Sequence, residues 1–372
     1  MKTWLRVHKW SSLLSTLFLL LLCLTGLPLI FSDELSSRPT PAHASRSQTA
    51  APDYALDQAV RAQRAASERK FVQFLFWQED DPTVIGLGVA NVPDAPLEDV
   101  KRLLVDANTG QPRGEVPPES RVLTTILDLH RNLCVGSVGD VLLALVALLF
   151  VVSTVSGAVI YGPFTQNLPF GVVRSRPARL KWLDLHNLVG IATGMWALVV
   201  GATGLMNTLE GTLFGIWQNQ ELPALLASET ADKLAGSPAS IDAAVATARA
   251  ALPEMRPASI GLSGTRYATP RHHLVWMHGN NRLTKRLFTP VLVDATSGAL
   301  RLAKPLPWYL RALELSRPLH FGDYGGMPLK VVWAVFDLSL IFLLSSGVYL
   351  WAAKWRAFSR TAPRMRERAM HS

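Results

Sequence analysis

Four apolar runs stand out from an otherwise mixed pattern, at residues 11–31, 141–161, 188–206 and 331–351. A helix needs about 20 apolar residues to cross a hydrocarbon core of roughly 30 Å, so each run predicts a membrane span. Asp337 is the only formal charge inside any of them. The first run follows a basic start and could pass for a secretory signal, but it is long for a signal core and has a counterpart in mid-chain, so a retained span is expected. Between the spans the pattern changes. "LDQAVRAQRAA" (56–66) and "IDAAVATARAA" (241–251) have helical spacing. "LLVDANTGQ" (103–111) and "VLVDATSGA" (291–299) read as strands running into tight turns, with Asp106 and Asp294 as turn formers, Asn108 central in the first turn and glycine closing each.

These matches are part of a larger one. "VHKWSS…LTGLP" at the first span resembles "LHNLVG…ATGLM" at the third, and "LHRN…VSGAVIYG" at the second resembles "LHFG…SSGVYLWA" at the fourth. His8 to Gly26 and His186 to Gly204 are both 18 residues; His130 to Gly157 and His320 to Gly347 are both 27. The sequence therefore predicts an α-helical four-span bundle formed by internal duplication, each copy being span, outer α+β module, span. The expected division is 1–35 (start and first span), 36–129 (module 1), 130–163 (second span), 164–181 (basic loop), 182–207 (third span), 208–319 (module 2), 320–353 (fourth span) and 354–372 (basic tail).

Charge orients this arrangement. Lys2, Arg6 and Lys9, the loop residues Arg174, Arg176, Arg179 and Lys181, and the tail residues Lys354, Arg356, Arg360, Arg364, Arg366 and Arg368 all fall on one side of a four-span chain. By the positive-inside rule that side is cytoplasmic. In a bacterial inner membrane the modules are then periplasmic. The net charge of +9 is mostly this topology signal, and nothing points to nucleic acid. Two cysteines, Cys23 and Cys134, are too few for a disulfide framework or a zinc site.

Four of the nine histidines occupy repeat-equivalent places near a span. One interfacial histidine is ordinarily a snorkelling side chain. Here both copies keep each histidine at unchanged spacing, and topology sorts the four into His8 with His186 at the cytoplasmic end and His130 with His320 at the outer end. Two imidazoles at one depth on different helices suit haem iron, which takes axial nitrogens from opposite faces of a flat ring. Ser12 and Gly190 follow His8 and His186 by four residues, where a small side chain clears room on the ligand's face. Close packing through Gly190-x-x-x-Gly194 is the alternative. For the outer pair, either the helices continue and lift the ligands roughly 15 Å above the apolar run, or Gly136, Gly139, Gly322, Gly325 and Gly326 break them and fold the histidines back. Arg6, Lys9, Lys181, Arg131 and Arg317 are candidates to anchor propionates, or belong to ordinary interfacial belts. No carboxylate or cysteine stands at a spacing that favours zinc. "RYATPRHHLVWMHGN" (266–280), with His272, His273 and His278, reads as an exposed strand, with a surface for a ferric chelate as the alternative.

The stretches "HKWSSLLSTLFLLLLCLTG" and "LHNLVGIATGMWALVVGATG", the "VDANTG" and "VDATSG" turns and the closing "SSGVYLW" together resemble the PepSY-associated transmembrane-helix family, over nearly the whole chain. Its members include bacterial inner-membrane reductases that take iron out of ferric siderophores, those acting on ferrioxamine in pseudomonads being most alike. The resemblance implies periplasmic PepSY-like modules, two haem b groups on His8, His130, His186 and His320, a ferric siderophore as substrate and a quinol or cytoplasmic reductase as electron donor. No hydrolase constellation and no Gly-rich nucleotide loop competes with that reading. The rival is an anchored binding or inhibitory module without redox activity.

Overall fold

A computed structural model describes residues 1–36, 56–66, 71–78, 81, 83–107, 109–116, 120–165, 170–226, 239–281 and 284–370. Asn108, and parts of the expected first module and of the basic loop, lie outside the described residues. In chain order the elements are α1 (Lys2–Ile30), α2 (Ser32–Leu35), α3 (Leu56–Ala66), β1 (Phe71–Trp77), β2 (Val84–Ala90), β3 (Lys101–Asp106), β4 (Pro112–Glu115), α4 (Arg121–Asn132), α5 (Ser137–Thr165), α6 (Ala178–Thr208), α7 (Glu210–Ile216), α8 (Leu222–Leu226), α9 (Ile241–Ala251), β5 (Met255–Gly261), β6 (His272–Gly279), β7 (Phe288–Asp294), β8 (Leu300–Ala303), α10 (Trp308–Phe321) and α11 (Gly326–Met370). Each half runs from a long helix through an amphipathic helix and four strands to a short helix and a second long helix; among the described residues the second half has α7 and α8 where the first has α2.

The chain divides into two compact units. One is helical and takes in residues 1–36, 119–215 and 316–372. Among the described residues it holds four helices long and apolar enough to span a bilayer, at Lys2–Ile30, Ser137–Pro163, Ala178–Thr208 and Gly326–Arg356. Helix α1 packs on α5 and α11, and α6 packs on the same two, which closes a ring of four. Leu19, Cys23, Val146, Phe150, Trp196, Leu340 and Leu344 form its core. The unit also includes α4 and the end of α10, beyond the boundaries at 129 and 319 expected from sequence. Those short helices turn back on themselves. After Asn132 the chain passes through left-handed Leu133 and Cys134 (φ 55° and 58°) and Gly136 (φ 60°). Gly139 then lies so close to the Asn132 carbonyl that no Cβ fits. After Phe321, Gly322 (φ 73°) and Gly326 (φ 63°) make the equivalent reversal. Of the two geometries open in the sequence for His130 and His320, the folded-back one is present.

The other unit is an antiparallel sheet with strand order β4-β3-β2-β1-β5-β6-β7-β8. The two predicted modules are not separate bodies. Four strands come from each half, and the halves meet where β1 pairs with β5, Leu75 opposite Ile260. Alternate inward residues, among them Leu75, Leu87, Ile260, Val275 and Val291, build one core with Leu56 and Val60 of α3 and Ile241, Ala244, Val245 and Ala248 of α9. The helix starts are tied together by exchanged caps. The Asp242 carboxylate accepts from the Leu56 and Asp57 amides at 2.8 and 3.2 Å. The Asp57 carboxylate accepts from the Ile241 amide at 3.1 Å and from the Ser240 hydroxyl. Each aspartate satisfies the orphan N–H groups of the other half's helix.

Asp106 and Asp294 are turn formers, as expected. Asp294 accepts from the Thr296 and Ser297 amides at 2.9 and 2.8 Å and from Arg301 at 3.1 Å. Asp106 accepts from the Thr109 amide at 3.0 Å and pairs with Arg113. The expectation of an exposed strand at 266–280 is corrected. β6 lies inside the sheet between β5 and β7, and His272 and His273 are buried. His272 Nδ1 meets the Thr269 hydroxyl at 2.8 Å, and His273 Nδ1 accepts the Ser263 amide at 3.2 Å. Strand alternation is a poor guide in a strand covered on both faces.

Candidate functional site

The four span-associated histidines sit in four copies of one seat. His8 of α1 brings Nδ1 to the Ser153 carbonyl of α5 at 2.9 Å, with the Ser156 hydroxyl at 3.4 Å. His320 of α10 brings Nδ1 to the Val200 carbonyl of α6 at 3.0 Å, with the Thr203 hydroxyl at 3.3 Å. His130 of α4 bonds the Leu22 backbone and the Thr25 hydroxyl of α1, the latter at 2.9 Å. His186 of α6 bonds the Leu343 backbone and the Ser346 hydroxyl of α11, the latter at 2.8 Å.

A glycine makes each seat possible. The carbonyl of residue i in a helix lies against residue i+4, whose side chain normally covers it. In the four seats residue i+4 is Gly157, Gly204, Gly26 or Gly347. A Cβ there would stand 3.1 Å from the Cε1 of His8, His320 and His130, and 3.4 Å from that of His186. The residue before each glycine is Ser or Thr, which supplies the hydroxyl. Every span therefore carries one Ser/Thr-Gly seat and receives one histidine from another helix.

The seat fixes the chemistry of the ring. A carbonyl only accepts, so Nδ1 carries the proton and Nε2 presents a lone pair. The ring hydrogen bonds of the four run through Nδ1. This is the arrangement of metal-ligating imidazoles, whose second nitrogen is oriented by a backbone carbonyl. The rings also come in pairs. The His130 and His320 centroids are 6.4 Å apart at an interplanar angle of 62°. Two imidazoles bonded through nitrogen to one metal at about 2 Å each would have ring centres roughly 6 Å apart, so these two residues could both reach one metal. His8 and His186 are close enough for a charge on one to act on the other. Among the described residues no cluster of three or more His, Cys, Asp or Glu is placed to hold an ion. A pair would supply two ligands, so a metal held here would need the rest of its ligands from a cofactor such as a macrocycle.

The sequence profile of the PepSY-associated TM region matches residues 5–354. The chain belongs to that family. An uncharacterised protein of Pseudomonas aeruginosa is 27% identical over 258 residues, 62% of this chain and 63% of that protein. The chain thus spans less than two thirds of that relative. The four long apolar helices fit a PepSY-associated TM chain, and with them a lipid bilayer as surroundings.

The remaining predicted site residues are placed as follows. Ser12 is half-buried and bonds the Lys9 carbonyl of its own helix at 3.1 Å. A methyl at Gly190 meets Leu343 Cδ1 at 3.5 Å, an ordinary contact, while Gly194 faces open space. Arg6, Lys9, Lys181 and Arg131 are exposed, and Lys9 lies over the Trp10 ring. Arg317 is already engaged with Glu210. Asp184, two residues before His186, is buried and takes Arg174 of the basic loop through both carboxylate oxygens at 2.8 and 2.7 Å. The residues that hold the histidines, from Thr25-Gly26 to Ser346-Gly347, were legible as repeat landmarks but not as histidine partners. Their constant spacing of 18 or 27 residues from the preceding histidine of the same copy marked them as landmarks, but that histidine is not the one each holds.

Proposed function

We propose that this protein is a di-haem, b-type reductase of a bacterial inner membrane that passes electrons across the bilayer to a periplasmic ferric siderophore. The observation that carries the reading is the fourfold seat, which gives every histidine the same protonated Nδ1 and Nε2 lone pair and groups the rings in two pairs. His8 and His186 would hold one haem, and His130 and His320 the other. Bound haem supplies one-electron chemistry; the chain orients its ligands through Ser153, Leu22, Leu343 and Val200 and leaves exposed Arg6, Lys9, Lys181 and Arg131 near the ligands in sequence for propionates. Iron held by hard oxygen ligands is bound less tightly once reduced, so electron delivery is itself a release step and needs no nucleophile. The electron donor is a quinol or a cytoplasmic reductase, both termini are cytoplasmic and the sheet unit is periplasmic. The parallel halves and alternating seats fit a duplicated ancestor.

Protein purified in detergent from haem-replete cells should show a Soret band that changes on dithionite, with two haems per chain. His8→Ala and His186→Ala should each deplete one haem, and His130→Ala and His320→Ala the other. A colourless preparation would leave an anchored PepSY binding module as the better reading. Joint loss of one haem in His8→Ala and His130→Ala would overturn the pairing.

A further inference from the structure

The helical core contains a carboxylate that the seats do not use. Asp337 of α11 is 7% exposed, and its Oδ2 has no partner among the described residues. Its other contact is the Cys23 thiol of α1, which donates to the carboxyl. The indole N–H groups of Trp196 and Trp333 nearby in the same core are likewise buried and unpartnered. A carboxylate in a span is costly and is retained where it serves a purpose.

Two features of position show the purpose. First, Asp337 adjoins both seats of one histidine pair. Cys23 directly follows Leu22, whose carbonyl holds His130. Trp196, one turn before the Val200 that holds His320, packs on Phe336 and Trp333 at 5.5 and 6.4 Å between centroids. Second, α11 carries a charged ladder from Asp337 to water. Lys330, Trp333 and Asp337 share one helix face. Buried Lys330 donates to both Glu34 oxygens at 3.0 Å and to Asp33 at 3.3 Å. The Asp33 side chain is 85% exposed. The titratable groups around Asp337 are therefore Cys23 from α1, Lys330 from α11 itself, and Asp33 and Glu34 at the end of the ladder. From α6, Trp196, Ala197 and Val200 pack in the same core, and Thr193, one turn before Ala197, is a buried neutral hydroxyl.

We propose that Asp337 is the proton-binding site of the bundle, taking up one proton from the water reached through Asp33, Glu34 and Lys330 when an electron settles at the neighbouring His130–His320 pair. The inference rests on the haem reading above. The step balances: one electron arrives from the quinol or cytoplasmic reductase, one proton converts the carboxylate to the acid, and both leave when the electron passes to the ferric chelate. Charges in a low-dielectric core interact more strongly than in water, so an electron added beside a carboxylate is unfavourable and the proton offsets it.

The test is a redox titration of the haem-loaded, full-length protein across pH, with infrared difference spectra of the same samples. In the wild type the reduction equilibrium of one haem should shift tenfold per pH unit, about 59 mV for one electron. Reduction should also raise a protonated-carboxyl band. Asp337→Asn should flatten the slope and remove the band, Asp337→Glu should keep both, and Lys330→Met should slow the proton uptake. A loaded wild type without a carboxyl change on reduction overturns the proposal with no variant needed, as does an unchanged slope in Asp337→Asn. A colourless bundle overturns the haem reading and the coupling together.

Discussion

Gly204→Ala tests the seat most directly. The added methyl would stand 3.1 Å from His320 Cε1, where carbon atoms prefer roughly 3.5–4.0 Å. His320 must retreat by about half an ångström. Its Nδ1 bond to the Val200 carbonyl, now 3.0 Å, lengthens to roughly 3.5 Å, the outer limit of a useful hydrogen bond. That loss is worth about 1 kcal/mol, and misdirecting a ligand by removing its outer partner costs about 10–100-fold in metal affinity. The helix itself gains, since alanine favours it over glycine by up to about 1 kcal/mol. Insertion and folding should therefore survive while haem binding weakens. Gly190→Ala makes the same chemical change on the same helix, with its methyl in ordinary contact at 3.5 Å, and should keep full affinity. The assay is haem retention against a soluble haem scavenger, read from the Soret band per chain. Equal retention in the two variants would refute the claim that glycine is there to admit the imidazole.

Two further outcomes concern other parts of the molecule. Burial opposes ionisation of Asp294, but the amides of Ser297 and Thr296 and the Arg301 guanidinium outweigh it and hold the carboxyl well below the usual carboxylate range. Its stabilisation is complete above about pH 4 and is lost as pH falls through the lowered value. Asp294→Asn should accordingly cost about 1.5–3 kcal/mol at neutral pH and progressively less in acid, measured by proteolysis of the full chain; a deficit that grew on acidification would contradict this account. Reporter fusions after Thr165 and at Ser372 should read cytoplasmic, and those at Thr109 and Ser297 periplasmic; a cytoplasmic Thr109 would overturn the proposed orientation and with it the proposed direction of electron flow.

Much of this was legible in the sequence because it depends on period and spacing. The spans follow from apolar length, and the turns at Asp106 and Asp294 from local hydrogen-bonding chemistry. The folded-back His130 and His320 were one of two readings, since glycines after a helix permit a reversal without requiring it. What was not legible depends on long-range contact. Nothing local to Thr203-Gly204 announces an imidazole arriving from residue 320. Nor does "FVQFLFW" announce that its far edge pairs with "MRPASIG". β6 was misjudged because polar tips on a strand look solvent-facing until a neighbour's amide or hydroxyl takes them.

The pairing of β1 with β5 has a consequence for biosynthesis. From Trp77 to Met255 the ribosome adds 178 residues, which at 5–20 residues per second takes roughly 10–35 s. Through that interval the nascent β1 has a partner on one side only, α3 lacks the Asp242 that completes its cap, and two further spans must be threaded into the bilayer. An unpaired strand edge invites association with other chains. The first half is therefore an unfinished translation product that depends on its own downstream sequence, and truncation anywhere before β5 should yield a substrate for proteolysis rather than a smaller working protein.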